Sequence, residues 1–114
     1  MNWQALESID KLDNLLASNE TFLIFKHSTR CPVSSAAKRR FEADWFKQAR
    51  TIPAYYLDLI EYRDVSNKVA SDLEVIHQSP QLILVHQKAV LHHSSHTSIS
   101  ADKVLKHIEN LPTV

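Results

Sequence analysis

Glycine is missing from all 114 residues of this chain. Average usage is about 7%, so the gap is informative. It excludes the glycine-rich loops that cradle phosphates, of both the dinucleotide and the P-loop kind. It also obliges any turn with positive φ to use Asn, Asp or another tolerant residue. Cysteine occurs once, as Cys31. One cysteine excludes an intramolecular disulfide and argues against a stapled secreted scaffold. No window approaches the ~18 apolar residues of a membrane helix. Met1-Asn2-Trp3-Gln4-Ala5-Leu6-Glu7 shows no basic segment leading into an apolar stretch, so no signal peptide is expected. A charge excess is lacking too. Lys+Arg and Asp+Glu number 13 each, the formal net charge is +0 and the pI is about 7.1. That balance leaves no footprint for nucleic acid or an anionic membrane. A reducing cytoplasmic setting is the expectation.

What is present suits one small domain over residues 1–114, with 44% hydrophobic residues to build a core. Ile9, Leu12, Leu15 and Leu16 recur at helical spacing, which predicts a helix from Ser8 to Ala17 with Ser8 as its cap. Thr21 to Lys26 is a short β-favouring run of buried-strand length. Ala37, Phe41, Trp45 and Phe46 predict a helix over Ser35 to Ala49, with Pro32 in its first turn. A second strand is expected at Ala54–Leu59, and a helix at Val65–Leu73 with Asp64 as its cap. Gln81–Val85 and Ala89–His93 read as an antiparallel pair turning at Gln87-Lys88, without the usual glycine. A last helix starts at Ser100 or Asp102, turns Val104, Leu105 and Ile108 inward and stops at Pro112. The order α-β-α-β-α-β-β-α implies an α/β fold: a four-stranded mixed sheet flanked by helices, its βαβ crossover right-handed.

This order puts Cys31 between a buried strand and the start of a helix. A helix N-terminus carries partial positive charge and unpaired amide groups, and both favour a thiolate. Arg30 is adjacent, and Lys26 and His27 are close in sequence. The thiolate is the form that attacks a disulfide. The plain alternative is a small buried apolar residue. A Cys-Pro pair opening a helix is a poor place to hide one, which favours a reactive Cys31. Ser79-Pro80 directly precedes a buried strand whose start lies, in this topology, beside the Cys31 helix. A cis bond there leaves an edge free to pair with an extended ligand; a trans proline at a strand start is the commoner case.

Element order, Cys31-Pro32-Val33-Ser34 and Ser79-Pro80 together resemble the thioredoxin superfamily over nearly the whole chain. Within it the chain resembles the monothiol bacilliredoxins, small proteins of the bacillithiol redox system with a Thr-Cys-Pro-Ile/Val-Ser motif after an apolar strand. Here the stretch is Ser28-Thr29-Arg30-Cys31-Pro32-Val33-Ser34. Arg30 departs from the usual threonine and adds a positive charge. The resemblance implies that Cys31 is the redox thiol and Pro80 the cis-proline beside it. Ser34 stands where dithiol relatives keep a resolving cysteine. Its hydroxyl either donates to the Cys31 thiolate or is a neutral residue in the first helical turn.

A lone thiol cannot expel a substrate with a second cysteine. It can attack a protein–small-thiol mixed disulfide, take the small thiol, and wait for a recycling thiol or reductase. The resemblance implies bacillithiol as cosubstrate, with S-thiolated proteins as clients; the placement of the histidines gives no reason to expect a metal. Bacillithiol carries malate, whose carboxylates are expected to meet Arg30 or Lys26. Glutathione is disfavoured, because related glutaredoxins use Thr-Val-Pro and a Gly-Gly stretch where this chain has Gln78-Ser79-Pro80 and no glycine. Coenzyme A is the other small thiol to compare. The contrasting class is a non-catalytic interaction module, which requires an inert, inaccessible Cys31.

Other clusters read as structural. His92, His93 and His96 are expected to be a solvated surface, since His92 and His93 face opposite ways on a strand. His27 as a base for a Cys–His hydrolase lacks a visible orienting group. Asp58, Glu61 and Asp64 read as loop solubilisers and a helix cap. Lys38-Arg39-Arg40 reads as a solvated helix face. Trp3, Phe41, Trp45 and Phe46 read as core or lid packing, because no basic groove accompanies them.

Overall fold

The computed structural model describes residues 1–45 and 52–111. Its elements are β1 (Trp3–Ala5), α1 (Ile9–Ala17), β2 (Thr21–His27), α2 (Pro32–Trp45), β3 (Ala54–Asp58), α3 (Arg63–Asp72), β4 (Gln81–His86), β5 (Ala89–Ser95), a 3-10 turn (His96–Ser98) and α4 (Ala101–Glu109). The expected positions of Phe46, of the helix end at Ala49 and of the Pro112 stop lie outside the described residues.

The sheet has five strands, in the order β1-β3-β2-β4-β5, which corrects the expected four. The added strand is β1, parallel to β3 with Trp3 opposite Ala54. Three residues are too few to show alternation, and its partner is some fifty residues away. β2 runs parallel to β3 and antiparallel to β4. β5 pairs antiparallel with β4 and carries a bulge opposite Leu84 and Val85.

Alternation along β2 divides the core. Phe22 and Ile24 join Leu12 and Leu15 of α1 and Val65 and Val69 of α3 on one face. Leu23 and Phe25 join Ala37, Phe41 and Trp45 of α2 and Val104 and Ile108 of α4 on the other. Each fully buried aromatic or branched side chain contributes on the order of 2 kcal/mol by leaving water. Trp3 packs edge-on against Phe25 at 5.8 Å, which seats β1 over the α2 face.

Ser8 accepts from the Lys11 N–H and Ser100 from the Lys103 N–H, so both serines cap as expected. Asp64 does not. α3 begins at Arg63 with Tyr62 in the cap position, which leaves Asp64 inside the first turn. Asp58 accepts instead from the N–H groups of Ile60 and Glu61, closing the turn after β3. Positive φ falls on Glu74, Gln87, Lys88 and His96, none of them Asn or Asp. Gln87 and Lys88 form the β4–β5 turn, where glycine would relieve about 1 kcal/mol per residue.

Candidate active site

β2 delivers the chain to the site. Ser28 accepts from the Cys31 N–H at 3.1 Å, tightening the turn between strand and helix. The Cys31 carbonyl accepts the first intrahelical bond, from the Ser35 N–H at 3.1 Å. Cys31 therefore caps α2, and Pro32, with no N–H to satisfy, occupies the first helical position. Cys31 is partly exposed. Arg30 and Pro32 are exposed beside it, and Val33 is 49% exposed.

Ser34 lies in the first turn of α2, as one of its two expected roles had it, but its hydroxyl does not reach the sulfur. It is fully buried, and its Oγ lies 2.6 Å from His27 Nδ1 while accepting from the Ser28 N–H at 3.1 Å. The hydroxyl is committed to the end of β2 and not to the sulfur. Burial first, and then the positive Lys38, lower the pKa of His27. The imidazole is thus held neutral and shares one proton with the serine hydroxyl. A resolving cysteine is replaced by a polar rivet between helix and strand. Serine with a histidine seven residues earlier was the only hint of it in the sequence.

Lys26 also departs from expectation. Its exposure is 0%, and it lies on the sheet face away from α2. Its Nζ donates to the Ser66 carbonyl at 3.0 Å and lies 3.1 Å from His77 Nδ1. Burial pushes its pKa down to about 8. The lysine is not available to a ligand on Cys31, because strand alternation turns it to the opposite side.

On the β4 side, Gln81 pairs with Lys26, so Pro80 sits level with His27 at the end of β2. The Ser79–Pro80 bond is cis, and Pro80 is buried. The Pro80 carbonyl accepts from the His96 N–H at 3.1 Å. The Ser79 backbone has no hydrogen bond among the described residues, which leaves it open to an extended ligand. Gln81 ties down the preceding loop, donating to the Ile76 carbonyl at 3.1 Å and accepting from the Gln78 N–H at 3.4 Å. Ile76 is 82% exposed; with Val33 it makes up the exposed large hydrophobics among the described residues.

Two clusters differ from their sequence readings. His92 is half-buried and stacks on His107 of α4 at 4.6 Å, so it is not simply solvated. Burial, followed by the neighbouring His107, His93 and Lys103, lowers its pKa. Lys38 is half-buried, 3.0 Å from Glu42 and 5.6 Å from the Trp3 and Tyr56 ring centres. Arg40 donates to the Ile99 carbonyl. Of the three basic residues only Arg39 is a plain surface cation.

The family model for "Monothiol bacilliredoxin BrxC" matches residues 4–104. A solved structure described as a candidate oxidoreductase with a thioredoxin fold superposes with a TM-score of 0.80 at 27% identity, covering 91% of each chain. A thioredoxin from Trypanosoma brucei brucei gives 0.74 at 12% identity, over 96% of this chain and 89% of that one. Mitochondrial thioredoxin 3 of Saccharomyces cerevisiae gives 0.72 at 14%, over 96% and 95%. The two thioredoxins are similar in fold alone.

Proposed function

The chain belongs to the monothiol bacilliredoxin family and is a thiol oxidoreductase of thioredoxin fold; on that premise we propose that it removes bacillithiol from protein mixed disulfides through Cys31. The observation that carries the reading is the pairing of a partly exposed, helix-capping Cys31 with Ser34, whose hydroxyl is bound to His27 and Ser28. The Cys31 thiolate attacks the small-thiol sulfur of the mixed disulfide. The client–sulfur bond breaks, and the client cysteine leaves with the electron pair and takes a proton from solvent. Cys31 then holds the small thiol, and with no second cysteine in the chain it waits for an external thiol or reductase.

Val33 and Ile76 offer apolar contact to a client, and the open Ser79 backbone offers pairing to an extended ligand. Arg30 is exposed and next to Cys31 in the chain, and offers a charge to a ligand carboxylate. The proposed setting is the reducing cytoplasm. The partial exposure of Cys31 favours an enzyme over a silent interaction module.

The test is intact-mass spectrometry with equal doses of bacillithiol disulfide, glutathione disulfide and coenzyme A disulfide. Fast capture of bacillithiol, released only when a second thiol is added, is expected. Preference for glutathione or coenzyme A overturns the cosubstrate and keeps the reaction. No adduct with any of the three overturns the reaction itself.

A further inference from the structure

A groove of about 370 Å³ runs beside α2, lined by His27, Ser35, Lys38, Arg39, Glu42 and Tyr56. Residues three and four apart on a helix share a face. Ser35, Lys38, Arg39 and Glu42 therefore line one face of α2, beginning in the turn that follows the capping residue Cys31. The Ser35 N–H is bonded to the Cys31 carbonyl, so the groove opens one helical turn, about 5.4 Å, from the capping residue.

The charges in the groove do not cancel. Lys38 and Glu42 neutralise each other at 3.0 Å, and the Trp3 indole N–H holds the same Glu42 oxygen at 2.7 Å. These contacts keep Glu42 ionised, its pKa lowered against the opposing effect of burial. His27 is neutral. Arg39 is exposed and has no hydrogen bond or ion pair among the described residues. One planar, forked cation is left over, the geometry that binds a carboxylate with two bonds.

We propose that this groove seats the body of the small thiol that Cys31 takes over, with Arg39 binding a carboxylate on it. The proposal rests on the thiol-transfer reading above and adds to it a place on this chain, the α2 groove, and a residue, Arg39, for the small thiol's carboxylate. The volume falls within the range of small-molecule sites. The groove lies on the β3 side of β2, at Tyr56, whereas the open Ser79 backbone lies on the β4 side. Small thiol and client thus have separate places. When Cys31 attacks, the new disulfide joins it to the small thiol, and the client leaves as a thiolate that solvent protonates. No oxidant or reductant is consumed.

The experiment measures capture rates by intact mass for wild type, Arg39→Glu and Glu42→Gln. Bacillithiol and glutathione disulfides serve as carboxylate-bearing probes, and hydroxyethyl disulfide as a neutral one. Arg39→Glu is expected to slow the carboxylate-bearing probe that wild type prefers by about tenfold, the worth of one charged hydrogen bond, with less than about a twofold effect on the neutral probe. Glu42→Gln is expected to change the ratio in the opposite direction, and high salt to shrink both effects. An unchanged ratio in both variants, with Cys31 still reactive, overturns the groove and leaves the thiol-transfer reading standing. No capture of any probe by wild type overturns both. A further probe, an acidic peptide in mixed disulfide with neutral mercaptoethanol, separates the sources of carboxylate. Arg39 dependence on that peptide alone assigns the cation to the client and overturns the proposal.

Discussion

Lys26 and His27 are adjacent on β2, both are buried, and neither meets a carboxylate at hydrogen-bonding distance among the described residues. Alternation sends them to opposite faces of the sheet. His27 ends under α2, where it gives up its charge and binds Ser34. Lys26 ends under α3, where with a pKa of about 8 it is mostly charged at neutral pH and leans on a backbone carbonyl and His77. The thiol face thus carries a neutral polar link and the far face a buried cation. Nearness to Cys31 in sequence separates the two by one residue; nearness in space separates them by the thickness of the sheet.

Variants in the two faces sharpen or break this contrast. The largest effect sets the baseline: Cys31→Ser is expected to abolish all small-thiol capture by intact mass, since no other thiol exists in the chain. Next is Lys26. Its folded pKa lies below the unfolded value of 10.5, so the unfolded state binds more protons between pH 8 and 10.5. Wild-type stability should therefore rise across that window, by at most about 3 kcal/mol, and Lys26→Met should remove the rise. Urea unfolding at several pH values reads it, and a flat wild-type curve would break the contrast.

Ser34→Ala orphans His27 and the Ser28 N–H and is expected to cost about 2 kcal/mol in urea unfolding, while Cys31 still captures small thiols. A variant as stable as wild type would show that the link is incidental. On the acid side, His27 and His77 have folded pKa values below 6.5, each through burial first. The unfolded state gains protons first, so stability should fall as pH drops below 6.5. The loss should be smaller in His27→Gln, as followed by thermal unfolding at pH 7 and pH 5. The smallest effect belongs to Arg30. Arg30→Glu should slow capture of carboxylate-bearing disulfides by about two- to threefold, in keeping with an exposed charge. An equal slowing of neutral disulfides would show that the change acts on Cys31 and not on a ligand.

Much of the fold was legible because local rules and tertiary contacts agree. The apolar runs at Phe22–Phe25 and Leu82–Val85 have no other stable place than a buried sheet. Ser8 and Ser100 cap because a serine before an apolar helical pattern satisfies an orphan amide. The Cys-Pro pair could be placed at a helix start for a similar reason. β1 was not legible, because three residues become a strand only when β3 supplies the partner edge. Asp64 was misplaced because α3 begins at Arg63, two residues before the expected Val65.

The sequence by itself determined the chemistry available: one thiol, no resolver, no glycine loop for phosphate, and a strand-to-helix junction to hold the thiol. These follow from composition and from periodicities that act over a few residues. Only the tertiary structure decided where the neighbouring charges went. It turned Lys26 away from the sulfur, spent the Ser34 hydroxyl on His27, neutralised Lys38 with Glu42 and left Arg39 free along the groove. The physical reason is that a side chain's partners depend on which face of a strand or helix it occupies and on what packs there. That is settled by contacts between residues far apart in the chain.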